Sequence, residues 1–161
     1  MTTIKVVSDS TPLIALARIN RFDLLQELFG EIAIPPAVYA EVVTASKGRA
    51  GSEELKNADW IHCCQVSNSD LVTFLKISLD DGEAEAIALA KEIDADLLLI
   101  DDGDGRYIAE SVNIGLTGTV GLLLRYYQGH PQNGKKALDE LLAQGFRLSK
   151  TIYAKIVEQM Q

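Results

Sequence analysis

Two four-residue runs constrain the fold of this chain more than any other feature. Residues 4–7 (IKVV) and 97–100 (LLLI) are short and largely apolar, and each runs almost at once into acids, Asp9 in one case and Asp101-Asp102 in the other. Runs of this length bounded by turn-forming residues read as buried strands. Residues 31–34 and 60–66 are two more strand candidates. Helical patterns lie between and beyond them: 12–19 behind a Ser10 or Thr11 cap, 22–29, a segment after Pro35-Pro36 through Val38, Glu41 and Val42, then 70–77, 82–93, 106–112, 120–127, 135–143 and 151–160. Residues 44–52 (TASKGRAGS) form the most loop-like stretch. Short apolar strands alternating with helices predict a three-layer α/β/α fold on a short central parallel sheet, ending in a helical C-terminus.

The 161 residues and 47% hydrophobic content suit one domain over residues 1–161 with a sizeable core. No apolar run approaches the ~20 residues of a membrane span. The start, MTTIKVVSDST, has no basic segment leading into a long apolar one, so a cytoplasmic protein without a signal peptide is expected. Cys63 and Cys64 are adjacent, with neither disulfide nor zinc spacing, and read as alternating strand positions.

The formal charge of −8 argues at first against a nucleic-acid partner. Its distribution changes that inference. From Asp80 to Asp104 there are ten acids and one base, Lys91, so this window carries −9 and the rest of the chain +1. The C-terminal third is mildly basic, with Lys135, Lys136, Arg147, Lys150 and Lys155 read as scattered helix-surface charge.

In a parallel sheet the functional crevice lies beyond the carboxyl ends of the strands. Asp9 follows the first strand and Asp101 and Asp102 follow LLLI, so both sets emerge at one edge. On the helix carrying GEAEAIALA, about 100° per residue puts Glu83 on the apolar stripe with Ile87 and Ala90. Glu85 falls on the opposite face beside Glu92 and is expected to be solvated. Carboxylates gathered at the mouth of a core repel one another unless a cation holds them ionised, and an all-oxygen set suits Mg²⁺ or Mn²⁺. Phosphodiester hydrolysis is the chemistry such a set serves. Each acid also has a plainer role: Asp9 as a helix cap, Asp101, Asp102 and Asp104 as turn or cap residues, and Glu41 as helix surface. Leu13, Leu16 and Phe22 suit either core packing or docking of a second copy or partner.

Taken in order, VVSDSTPLIALARI, IPPAVYAEVV, LDDGEAEAIALA, ADLLLIDDGDGR and LTGTVGLLL closely resemble PIN-domain proteins, in particular relatives of VapC-like toxin ribonucleases. The resemblance implies a metal-dependent ribonuclease acting on RNA, with Mg²⁺ or Mn²⁺ held by three to five acids, and an antitoxin protein as possible partner. Position by position, it implies catalytic roles for Asp9, Glu41, Glu83 and Asp101 or Asp102, with Asp9, Glu83 and Asp101/Asp102 as metal ligands. The family usually has Thr-x-Asp where this chain reads Ile100-Asp101-Asp102, which leaves the choice between the two aspartates open. The first motif reads Asp-Ser-Thr, where Asp-Thr-Ser or Asp-Ser-Ser is common, and so keeps both hydroxyls. Ser10, Thr11 and Arg106 are the substrate-contacting candidates; Arg106 is alternatively a brace for Asp102. Two other functions compete: a non-catalytic PIN-like module that binds RNA or protein, and a phosphohydrolase using Asp9 as nucleophile, which lacks the second acid at Thr11. A dinucleotide-binding fold is disfavoured because no G-x-G-x-x-G follows a strand.

Overall fold

The computed structural model describes residues 4–161; the leader expectation rests partly on residues 1–3, outside that range. Five parallel strands, β1 (Val6–Ser8), β2 (Ile32–Ile34), β3 (Ile61–Cys63), β4 (Leu97–Leu99) and β5 (Leu116–Thr117), lie in the order β3-β2-β1-β4-β5. The chain therefore starts in the middle of the sheet, builds outward to β3, then crosses back to the other side of β1. That reversal leaves a switch point between β1 and β4, the usual place for a site in an open α/β sheet. In register there, Val6, Val7 and Ser8 lie opposite Leu97, Leu98 and Leu99, and the Asp9 amide extends the ladder to the Leu99 carbonyl at 2.9 Å.

Helices cover both faces. The early ones are α1 (Ser10–Arg18), α2 (Asp23–Phe29), α3 (Pro36–Tyr39), which passes into a π turn over Ala40–Thr44, and α4 (Ser52–Lys56). Next come α5 (Ser69–Leu75), α6 (Asp81–Glu92), α7 (Gly103–Ser111), α8 (Thr119–Tyr126), α9 (Pro131–Ala143) and α10 (Lys150–Met160). Helix α6 packs on β1 and β4 and is flanked by α3, α5 and α7, while α1 packs with α8 and α9. Leu13, Leu16, Leu24, Ile34, Ile87, Leu98, Leu99 and Leu122 are fully buried in the core between these layers. Leu13, Leu16 and Phe22 are thus core residues, not a docking face.

Boundaries moved for identifiable reasons. Strand β1 begins at Val6, because the Lys5 amide is taken by the Asp96 carboxylate at 2.8 Å and Ile4 is exposed. Strand β3 is shorter than residues 60–66, being an edge strand in which His62 and Cys63 are both exposed; it ends at Cys63, so Cys64 is not the strand position expected of it. Both cysteines are free thiols. Helix α7 starts three residues early because Asp102 caps it, and α9 starts at Pro131, which suits a first helical turn. Strand β5, only two residues long, and α4 had no expectation attached. Among the described residues no helix is long and apolar enough to cross a membrane.

Candidate functional site

The switch point gathers acids from four places in the chain. Asp9 sits at the N-cap position of α1 but makes no capping hydrogen bond with its side chain. It is 4% exposed, and its Oδ1 is buried with no partner among the described residues. Burial pushes its pKa from 3.8 up to about 7; the Ser10 backbone opposes the shift, and the charges of Asp80, Glu41 and Asp101 add to it.

Glu83 lies where the helical arithmetic places it, on the core side of α6, and is 7% exposed. Its Oε1 accepts from the Asp80 amide at 3.2 Å, and the Glu83 amide donates to Asp80 Oδ1 at 2.8 Å. This reciprocal capping box fixes the head of α6 and leaves Glu83 Oε2 buried with no partner among the described residues. Burial raises the Glu83 pKa to about 8, helped by the neighbouring Asp102 and Asp80 carboxyls. Asp102 itself is exposed and moves the other way, held below the usual carboxylate range by the Gly105 amide first and Glu83 second.

Glu41 is not a plain surface glutamate. It falls within the π turn that continues α3, is half-buried, and accepts from Ser10 Oγ and from the Gly82 amide at 3.0 Å. A π turn changes the angular spacing of its residues, and such turns are frequent at functional sites. Gly82 is required by this approach: a Cβ there would sit 2.5 and 2.6 Å from the two Glu41 oxygens. Burial raises the Glu41 pKa, with the Ser10 and Gly82 hydrogen bonds opposing and the charges of Asp80 and Asp81 adding.

The two aspartates after β4 have separate surroundings. Asp101 accepts from the Thr119 amide at 2.8 Å and from Thr119 Oγ1 at 2.6 Å, which ties the end of β4 to the head of α8. Asp102 accepts from the Gly105 amide at 3.1 Å at the head of α7. The capping role foreseen at the Arg106 helix is therefore met by Asp102 and not by Asp101, while the charge of Asp101 acts on Asp9 and Asp102 acts on Glu83. Arg106 does not brace Asp102; its guanidinium donates to the Ile100 carbonyl at 3.1 Å. Thr11 is exposed on the first turn of α1.

Two participants carried no expectation, and a third departs from its own. Asp80 stands among Asp9, Glu41 and Glu83 and raises the pKa of all three; its Asp-x-x-Glu spacing to Glu83 was the available signal. Thr119, fully buried, anchors Asp101 from the Gly-Thr of LTGTV. Glu85, expected in water, is half-buried and accepts from the Ala37 amide at 3.1 Å, because α3 covers that side of α6.

Among the described residues none of Asp9, Glu41, Glu83, Asp101 or Asp102 pairs with a Lys, Arg or His. Nor do three of these side chains converge into a ready-made metal cage. A small divalent ion does not need one, since one or two carboxylates with water and substrate oxygens complete its shell. The two buried, unpartnered oxygens and the all-oxygen donor set fit such an ion.

A protein-family model described as a PIN domain matches residues 5–161. No curated protein matches the chain.

Proposed function

This chain belongs to the PIN-domain family, whose members are generally nucleases, and from that premise we propose that it is a metal-dependent endoribonuclease. The observation that carries the reading is the pair of buried carboxylate oxygens without partners among the described residues, Asp9 Oδ1 and Glu83 Oε2, at the switch point of the sheet. Asp9 and Glu83 would hold Mg²⁺ or Mn²⁺, with Asp102 beside Glu83 and Asp101 beside Asp9 as the further ligands. When bound, such an ion acidifies water and offsets charge on a reacting phosphate. Glu41, oriented by Ser10 and the Gly82 amide, accepts or returns a proton at the mouth of the site. Asp101 holds the α8 head in place through Thr119 while contributing charge towards Asp9. Thr11 and Arg106 border the site and would meet the substrate phosphates, whereas Ser10, expected among the substrate contacts, is buried with its hydroxyl on Glu41 and serves to orient that carboxylate. RNA is the proposed substrate, and an antitoxin that silences the enzyme is the proposed partner, following the VapC-like resemblance.

The test is incubation with single-stranded and structured RNAs, with Mg²⁺ or Mn²⁺ and with chelator. Internal cleavage that needs the metal and is lost in Asp9→Asn is the expected result. Cleavage unchanged in that variant, or none with any RNA and metal, sinks the catalytic reading; retained RNA binding in the latter case would favour a non-catalytic module. For the partner, growth arrest on expression, relieved by a small neighbouring open reading frame, is expected.

A further inference from the structure

The C-terminal turn of α9 builds a second feature alongside α1, the helix that Asp9 leads into. Gly145 adopts φ +101°, the left-handed conformation open to glycine. Its amide donates to the Leu142 carbonyl at 3.0 Å and that of Phe146 to the Leu141 carbonyl at 3.2 Å. This is a Schellman-type stop, which folds the residue after the glycine back over the last helical turn. It sets Phe146 and Arg147 against α1, and the space left between them is a groove of about 400 Å³.

The α1 wall of the groove is Thr11, Ile14 and Arg18, a single stripe at helical spacing about 10 Å long. Leu141, Phe146 and Arg147 form the other wall. The groove begins two residues after Asp9 and leads away from the carboxylates. In a chain with 23 acids and 15 bases, it contains two arginines and no acid. Arg18 and Arg147 are both exposed, and neither makes an ion pair or a side-chain hydrogen bond among the described residues. Phe146 is only partly buried, which leaves part of its ring available. Free guanidinium groups beside apolar and aromatic surface are the combination that holds single-stranded nucleic acid, phosphates on the charges and bases on the ring.

Building on the ribonuclease reading, we infer that the groove between α1 and the α9–α10 connection binds a single-stranded segment of the RNA and feeds it to the carboxylates. Stacking on Phe146 needs a base free of its partner strand, so the enzyme takes unpaired stretches. Arg18 and Arg147 bind phosphates, Phe146 stacks a base, and Thr11 stands at the junction with the acidic site.

The experiment measures binding of a labelled oligouridylate by fluorescence anisotropy across a salt series, in an Asp9→Asn background that keeps the RNA whole. In R18Q/R147Q, affinity is expected to fall roughly ten-fold or more, with the slope of log affinity on log salt flatter by about 1.4 for the two lost contacts. Phe146→Leu, which keeps an apolar side chain at the position, is expected to weaken binding roughly five-fold with the slope unchanged. The charge-matched control Lys56→Gln/Lys91→Gln lies outside the groove and is expected to bind as the parent does. Thermal melts establish that each variant is folded. Wild-type affinity and slope in R18Q/R147Q, as expected if the groove seats an acidic peptide instead, overturn the proposal, and so does an equal loss in the control. Metal-dependent cleavage with arginine-independent binding defeats the groove alone. Arginine-dependent binding without cleavage defeats the nuclease reading and leaves the groove standing.

Discussion

In the metal-free protein, Asp9→Asn is expected to stabilise the fold at alkaline pH and to cost about 1–3 kcal/mol in acid, where the carboxyl is already neutral and the new amide still lacks a partner. The carboxyl is nearly inaccessible and its pKa is raised from 3.8 to about 7. A raised carboxyl pKa means that the folded state holds its proton more tightly than the unfolded chain does. The stability this gives is fully present below pH 3.8, declines as pH rises, and is gone above pH 7. The rise from 3.8 to about 7 sets a ceiling of about 4 kcal/mol on the cost of the charged form. The asparagine avoids that charge but brings an amide into the same unpartnered position, which returns about 1–3 kcal/mol. A net gain of about 1–3 kcal/mol at pH 8.5 remains, or roughly 2–12 °C in Tm for a chain of this size. The assay is thermal unfolding of both proteins in chelator from pH 4 to 8.5, then at pH 8.5 with a Mg²⁺ or Mn²⁺ titration. Added metal should raise the Tm of the parent progressively and that of Asp9→Asn much less, because an ion that binds only the folded state stabilises it by mass action. A difference between the two proteins that is the same at pH 4 and pH 8.5 would refute the reasoning. So would an Asp9→Asn protein that gains as much from metal as its parent.

Three further outcomes follow from the same geometry. Gly82→Ala, favourable by about 1 kcal/mol for an exposed helix interior, should instead cost about 1–3 kcal/mol in urea unfolding, since its Cβ would meet the Glu41 carboxylate; cleavage should fall with it. Thr119→Val removes the hydroxyl from Asp101 Oδ2 while keeping side-chain volume, so a loss of about 1–3 kcal/mol is expected with the metal requirement of cleavage unchanged. Glu85→Gln and Glu83→Gln should separate: the first leaves cleavage near the parent level because Glu85 bonds only the head of α3, and the second abolishes it.

The parallel α/β architecture was legible because its signals are local. LLLI and IKVV are short, apolar and followed by polar residues, which is what strands buried on both faces require. Asp9 and Asp101 could be placed at one edge for the same reason, since parallel strands carry all their carboxyl ends to one side. The burial of Glu83 followed from the 3.6-residue period of α6 alone. Where another element intervenes, that period is not enough. Glu85 sits on the polar side of α6 by angle, yet α3 lies across it and takes its carboxylate. Glu41 is brought inward by a π turn and by the absence of a side chain at Gly82, a residue forty-one positions away. Whether Asp9 caps its helix or stands free depends on which amides reach it, and the tertiary contacts leave its Oδ1 with none. Local pattern therefore specifies which acids arrive at the edge, because strand direction and helical period are properties of short segments. Which of their oxygens remain unpartnered is decided only when α3, α6, α7 and α8 close around them, because partners distant in the chain satisfy some of these groups and miss others.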